Sequence, residues 1–382
     1  MTRRPPAPTP RYGERSLADL LPSVLAALSG RDGRANPLHL APVERACVLL
    51  VDGLGAQLLE RYAELAPNLA ALAAGPRPPE PLMAGFPSTT ATSMGSFGTG
   101  LPPGAHGLLG YEVAVPGSDE VLNELAWNER IDPRAWQPRS TVFERAAAEG
   151  IAVARIGPSF FDGSGLTEAA LRGGRFVAAE TEGERMAAAA AALLEGRRSL
   201  VYVYYGDLDA TGHRCGVDSE AWRLQLEIVD RMVAQLAARL PAGAALWVTA
   251  DHGMVDVPLD ARVDLAAEPE LAAGVRLLTG EPRARYVHAR AGAEADVLAA
   301  WRERLGDRMD IWSRNEAVAG GWFGRCVEEH LRARIGDVVA VAREPVAVVD
   351  SAREAPELLR LVGLHGSVTD SEMLVPLLEL RG

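Results

Sequence analysis

The tightest constraint on this chain is a set of short, almost wholly apolar runs that each stop at a carboxylate or a glycine. "ACVLLV" at 46–51 gives way to Asp52, "SLVYVYY" at 199–205 to Gly206 and Asp207, and "ALWVTA" at 245–250 to Asp251. Apolar runs without alternation read as strands buried on both faces, the habit of parallel sheets. "IAVARI" at 151–156 adds a fourth strand, and amphipathic helices are predicted at 141–149, 182–196 and 218–239. Short strands alternating with helices predict an α/β fold, a mostly parallel central sheet with helices on both faces. Ligands of such sheets bind beyond the carboxyl ends of the strands, so Asp52, Asp207, Asp209 and Asp251 are expected to converge there.

The flanks are simpler. Residues 1–15 are rich in Pro and Arg and are expected to form a flexible arm, before a helix at 16–29 capped by Ser16. The rest, 16–382, reads as one main domain. Within it, 258–350 carries no comparable set of ligand residues. A strand at 284–288, a helix at 293–305, the turn "AGGWFG" and a strand at 337–343 predict a small α+β insertion. The chain then returns to the core for His365 and the strand-like "MLVPLLEL".

Five segments carry chemistry. Asp52 stands before "GLG", and Asp251 and His252 stand side by side before Gly253, which permits the bend both side chains need to reach one ion. "DATGH" places Asp209 and His213 four residues apart, on one helical turn or tight loop. Asp207 is read as second to Asp209, which has the better register to His213. His365 lies between glycines in "GLHGS". The fifth segment, "FPSTTATSM", reads as the start of a helix, where free N–H groups and the dipole favour a phosphoryl group. Chemistry alone does not choose between its Thr89 and Thr90. Each feature also has a plain reading, such as helix caps for Asp52 and the threonines. His106 is read as a structural loop residue, and His39, His288 and His330 as surface or packing residues.

Composition excludes several classes. Lys and Arg total 39 against 51 Asp and Glu, a formal charge of −12, which argues against a protein that coats nucleic-acid duplexes. Three widely spaced cysteines imply no disulfide framework, and Cys47 in its apolar run reads as a buried thiol. No phosphate-binding "GxxxxGK[ST]" loop, dinucleotide glycine fingerprint or "GxSxG" elbow occurs. "LADLLPSVLAALSG" is too short to span a bilayer and no apolar signal core precedes it, so a cytoplasmic protein without a membrane role is expected.

In this order, "VDGLG", "FPSTTATSMGSFGTGLPPGAHG", "DLDATGH", "TADHGM" and "LHG" resemble the alkaline phosphatase superfamily, and within it the type I phosphodiesterase/nucleotide pyrophosphatase branch. The resemblance runs from about 45 to 370. It implies an alkaline-phosphatase-like domain and two zinc ions, with manganese also compatible. Asp209, His213 and His365 would hold one ion; Asp52, Asp251, His252 and the Thr90 hydroxyl would hold the other. "TGLPPGAHG" supports the register that makes Thr90 the nucleophile. The implied activity is hydrolysis of phosphodiester or pyrophosphate bonds in small, nucleotide-type substrates through a phosphothreonine. Ser93 stands where the branch usually has an Asn that holds a phosphate oxygen. Phosphomonoester or phosphonate cleavage, phosphosugar mutation, and a non-catalytic metal-binding or nucleotide-sensing role are the alternatives.

Overall fold

A computed structural model describes residues 9–30, 33–74 and 80–382. The apolar runs form a central sheet from β1 (Arg45–Val51), β2 (Ala152–Gly157), β3 (Arg175–Ala178), β4 (Ser199–Tyr205), β5 (Ala244–Thr249) and a C-terminal strand, Leu377–Arg381. Their order is C-terminal strand, β5, β1, β4, β2, β3. All neighbours are parallel except the C-terminal strand, which runs antiparallel to β5. The sheet is therefore mixed and mostly parallel. β5 is buried along its whole length, which is why its sequence shows no alternation.

Two groups of helices pack on it: α1 (Leu20–Ser29), α2 (Thr90–Thr99) and α3 (Val142–Ala148) in one, α4 (Glu182–Leu193) and α6 (Glu220–Ala237) in the other. Between the last two runs α5 (Asp207–Cys215). α6 buries Trp222, Leu226, Val229, Val233 and Leu236, a helical spacing, and starts where the Ser219 hydroxyl accepts from the Trp222 N–H. The predicted helix at 16–29 opens as a 3-10 turn, Leu17–Asp19, because the Asp19 carboxylate accepts from both the N–H and the hydroxyl of Ser16. "MLVPLLEL" is split at Pro376, which lacks the N–H a strand interior needs. Among the described residues no helix is long and apolar enough to cross a membrane.

Of the arm expected at 1–15, residues 1–8 lie outside the described residues. From Tyr12 onward the chain is held: the Tyr12 hydroxyl donates to the Trp322 carbonyl and accepts from the Phe86 N–H. Residues 258–350 contain a second sheet of β6 (Val275–Glu281), β7 (Ala284–Ala289), β8 (Met309–Ser313) and β9 (Val338–Ala342), in the order β6, β7, β9, β8. Against it packs α7 (Glu294–Leu305), burying Val297, Trp301 and Leu305. One face of this sheet packs with α7 in a separate apolar cluster, while Tyr286, Val339 and Val341 join the main core.

One buried ion pair joins this second sheet to the helical turn Asp370–Met373 that follows His365. Arg283, in the β6–β7 turn, donates from Nε and Nη2 to the two carboxylate oxygens of Glu372 at 2.7 and 2.8 Å. Both side chains are almost wholly inaccessible, at 1% and 0%. Glu372 also accepts from the Ser367 N–H, and its backbone carbonyl accepts from the Gly253 N–H. Removing one partner strands the other charge, so Arg283→Met should cost about 3–5 kcal/mol. Arg283→Met/Glu372→Leu should recover part of that loss, as read by urea unfolding.

A second buried carboxyl gives a pH signature. Glu124 accepts from the Leu109 N–H and the Trp136 indole, yet burial pushes its pKa from 4.5 up to about 7. The folded chain then keeps a proton that the unfolded chain releases above 4.5, so this contribution is fully present below 4.5 and is lost as pH rises toward 7. Between pH 5 and 7.5 the Tm of wild type should fall more steeply than that of Glu124→Gln, measured by scanning calorimetry.

Candidate metal centre and active site

Strand register brings the carboxylates together. Val51 pairs with Tyr205 and Leu50 with Thr249, so three adjacent strands (β5, β1, β4) end at one level. Asp52 follows β1, Asp251 follows β5 by one residue, and Asp209 sits in the first turn of α5 beyond β4. The turns are tight. Gly53 has φ +74°, and a Cβ there would lie 3.1 Å from Asp209; its N–H donates to Asp251 Oδ1. A Cβ on Gly253 would fall 2.0 Å from the Ser371 carbonyl, so only glycine lets the chain turn between Asp251-His252 and the 371 loop.

Two donor clusters result, and in each the ligand atoms lie within 4.8 Å of one another: Asp52, Asp251 and His252 in the first, Asp209, His213 and His365 in the second. In the first, His252 Nε2 lies 3.2 Å from Thr90 Oγ1, 3.4 Å from Asp52 Oδ1 and 3.5 Å from Asp251 Oδ2. In the second, His213 Nε2 lies 3.3 Å from Asp209 Oδ2. The clusters adjoin, because the His252 and His365 rings stack with centroids 3.6 Å apart.

All three imidazoles are oriented alike. Nδ1 of His252, His213 and His365 faces the backbone carbonyl of Gly253, Gly363 and Ser88 respectively. A proton on each Nδ1 satisfies those carbonyls and leaves the Nε2 lone pairs bare, the arrangement that metal-ligating histidines adopt. In the first cluster that Nε2 faces the Thr90 hydroxyl and carboxylate oxygens of Asp52 and Asp251.

The charges fit a cation. Asp52 Oδ1, Asp209 Oδ1 and Asp251 Oδ2 are buried without a hydrogen-bond partner. Burial first, then the Asp251 and Asp209 charges, drives the Asp52 carboxyl well above its ordinary range, and burial likewise raises Asp251. Burial and the neighbouring imidazoles of His252 and His213 push His365 well below its ordinary value. Like charges packed this closely resist ionising unless a positive ion takes the space between them. Three carboxylates, three imidazoles and an alcohol, without a thiolate, suit zinc or manganese.

Thr90 is the first residue of α2, and the loop carrying His365 clamps its approach. Ser88 donates from its N–H to the Gly366 carbonyl and from its hydroxyl to the Ser367 carbonyl. Thr89 is the N-cap and is almost fully buried, whereas Thr90 is partly open to the cavity. Ser93 stands elsewhere than expected. It is fully buried, does not line the cavity, and its one O–H donates to the Asp251 carbonyl at 2.8 Å. As placed it supports Asp251 and has no proton to offer a phosphate oxygen.

Above both clusters opens a cavity of about 1180 Å³, with Asp52, Thr90, Asp209, His213 and His365 in its wall. Asp207 also borders it but belongs to neither cluster. His106 is buried against the Ser96 hydroxyl, and His288 against that of Thr279. Tyr204, which hydrogen-bonds Asp52 Oδ2, went unnoticed in the sequence, where it reads as one more apolar residue of "LVYVYY". Its signal was the strand alternation that puts it on the face of Tyr202.

Fold and site together define an α/β protein with a candidate two-ion centre at the carboxyl edge of its sheet. The chain matches the Type I phosphodiesterase / nucleotide pyrophosphatase family over residues 46–368 and belongs to that family, a branch of the alkaline phosphatase superfamily. Murine ectonucleotide pyrophosphatase / phosphodiesterase 5, solved as an inactive variant with AMP, superposes with a TM-score of 0.66 at 16% identity, over 88% of this chain and 87% of that one. Phosphonoacetate hydrolase from Sinorhizobium meliloti 1021, solved with phosphonoformate, gives 0.67 at 20% identity, over 89% and 90%. These likenesses establish the shared fold. A phosphopentomutase from Anaeromyxobacter sp. (strain K) is 35% identical over 119 residues, which is 30% of this chain and 28% of that protein's length.

If the carboxylates repel until a cation arrives, Asp52→Asn should raise the Tm of chelator-treated protein and remove most of the Tm gain that added zinc gives wild type. Equal zinc-induced gains in both proteins would contradict the arrangement.

Proposed function

We propose that this protein is a metal-dependent hydrolase of phosphodiester or pyrophosphate bonds in small, nucleotide-type substrates, with Thr90 as its nucleophile. The observation that carries this reading is the convergence of Thr90 Oγ1 and three ligand side chains on one point, His252 Nε2 being 3.2 Å from the hydroxyl. Asp52, Asp251, His252 and Thr90 would hold one ion; Asp209, His213 and His365 would hold the second; zinc is the favoured metal and manganese is compatible. Bound there, such ions would acidify the Thr90 hydroxyl and neutralise charge on the leaving oxygen.

The chain's own part is orientation and attack. Thr90 Oγ1 attacks phosphorus, the P–O bond to the leaving group breaks, and a phosphothreonine remains until water releases it. The first turn of α2 has N–H groups without partners inside the helix, which can donate to non-bridging oxygens. Ser93 holds the Asp251 carbonyl, and Tyr204 holds the Asp52 carboxylate, so both act on ligands rather than on substrate. The murine relative was made inactive by a single threonine-to-alanine change, which agrees with a threonine nucleophile. The acidic charge balance favours small-molecule substrates over nucleic-acid duplexes. A cytoplasmic site of action, with no role at membranes, completes the proposal.

A second reading, a phosphosugar mutase, draws on the partial match to phosphopentomutase. Phosphonate or phosphomonoester cleavage on the same centre draws on the fold shared with phosphonoacetate hydrolase. Bis-p-nitrophenyl phosphate, p-nitrophenyl phosphate, phosphonoacetate and ribose 5-phosphate, assayed with added zinc, separate these reactions. The diester should be cleaved fastest, with no isomerised sugar phosphate. Thr90→Ala should lower kcat by at least about 10⁴-fold while bound zinc, measured by atomic emission, stays near wild type. Hydrolysis that survives this change would remove Thr90 as nucleophile; wild type inert toward every ester would leave a metal-binding sensor.

A further inference from the structure

One charged side chain in the cavity wall is used by nothing described so far. Arg155 lies on β2, opposite Tyr202 of β4 on one side and Phe176 of β3 on the other. It lines the cavity yet is only 6% exposed. Its Nε and Nη1 are buried without a hydrogen-bond partner, and among the described residues its guanidinium forms no ion pair. Its contact is the Phe176 ring, 5.7 Å from the guanidinium carbon. The carboxylates acting on it are Glu168 and Asp162. Glu168 is already bound by Arg134 at 2.7 Å, and Asp162 is exposed to solvent. Burial lowers the guanidinium's pKa, the mark of a cation held with too little negative charge around it.

Arginine is almost never buried unless paired, and it keeps its proton. A partner is therefore owed from the cavity side. Arg155 belongs to neither donor cluster, and its neighbour Tyr202 on β4 feels both its charge and those of Asp52 and Asp251. The same cavity wall carries apolar and aromatic side chains, among them Met94, Phe160, Phe161, Tyr202 and Tyr204. A cavity of about 1180 Å³ has room for a ligand that reaches from one end to the other.

We propose that Arg155 is an anion-binding subsite that selects phosphoesters whose non-reacting part ends in a second oxyanion, a carboxylate or a phosphate, beyond a flat or apolar spacer. The proposal rests on the hydrolase reading for its reacting phosphorus, but the subsite itself is testable by binding alone. A planar guanidinium fork meets either oxyanion with two parallel hydrogen bonds, and such charge-assisted bonds are the strong ones. Arg155 would then be a specificity-determining residue rather than a catalytic one.

The test uses three phosphonates that no esterase cleaves at an ester bond: phenylphosphonate, 4-carboxyphenylphosphonate and 1,4-phenylenediphosphonate. Each is titrated by calorimetry into the purified, zinc-supplemented protein and into Arg155→Met and Arg155→Lys. Wild type should bind at least one of the two doubly anionic compounds about 10- to 100-fold more tightly than phenylphosphonate, the range of one charge-assisted contact. Whichever gains more identifies the oxyanion. Arg155→Met should reduce that ratio to about one while keeping a Tm at or above wild type, since it removes an unpaired buried charge; Arg155→Lys should keep part of the ratio. Wild type without preference, or a preference that survives Arg155→Met, overturns the subsite. So does a lowered Tm in both variants with the preference intact, which would make Arg155 structural. Selective binding without turnover of any phosphoester would instead sink the hydrolase reading and leave the subsite standing.

Discussion

The mutual repulsion of three carboxylates at one edge of the sheet, two of them buried and the third half-buried, is the constraint around which this molecule is arranged. Asp52, Asp209 and Asp251 each keep a buried oxygen without a partner. Burying charge in this way is costly unless something positive shares the space. The surroundings hold these groups in place. Tyr204 holds one Asp52 oxygen, the Gly53 N–H holds Asp251, and three backbone carbonyls fix the imidazoles with Nε2 facing inward.

Everything else in the fold serves to hold those groups in register. The parallel strands β5, β1 and β4 deliver their last residues to one level, which helices alone would not do. The fourth contribution, His365, comes from a chain segment beyond the second sheet and is fastened to the approach of α2 through Ser88. Arg283 and Glu372 lock that second sheet to the same region, since Glu372 also receives the N–H groups of Gly253 and Ser367. The candidate ligands, the helix that begins at Thr90 and the cavity wall are thus mechanically one unit. Strain at the Arg283–Glu372 pair would reach the ligands at Asp251-His252 through a single hydrogen bond.

Much of this was legible in the sequence because the relevant signals are local. Unalternating apolar runs fixed β1, β4 and β5, and the four-residue spacing of Asp209 and His213 anticipated the helical turn on which they meet. A helix start just after Ser88 was legible from its hydroxyl cluster, and α2 begins at Thr90. What escaped was whatever depended on a neighbour distant in the chain. Ser93 has the right residue type for a phosphate contact, but its proton is taken by a carbonyl 158 residues away. Tyr204 and Arg155 looked like parts of apolar strands, and only packing reveals that one braces a ligand while the other faces the cavity unpaired. Tyr12 lay in a segment that composition marked as loose, yet its hydroxyl is bound on both sides.

The amino-acid order by itself therefore determined the main element types, the mostly parallel sheet, the family and the candidate ligand residues, because periodicity, glycine turns and ligand spacing are written within a few residues of one another. Tertiary structure alone decided that the Ser93 hydroxyl turns to the Asp251 carbonyl, that Tyr204 braces Asp52, and which buried charge lacks a partner. Those outcomes depend on distances and dielectric surroundings between segments hundreds of residues apart, and no local pattern encodes them.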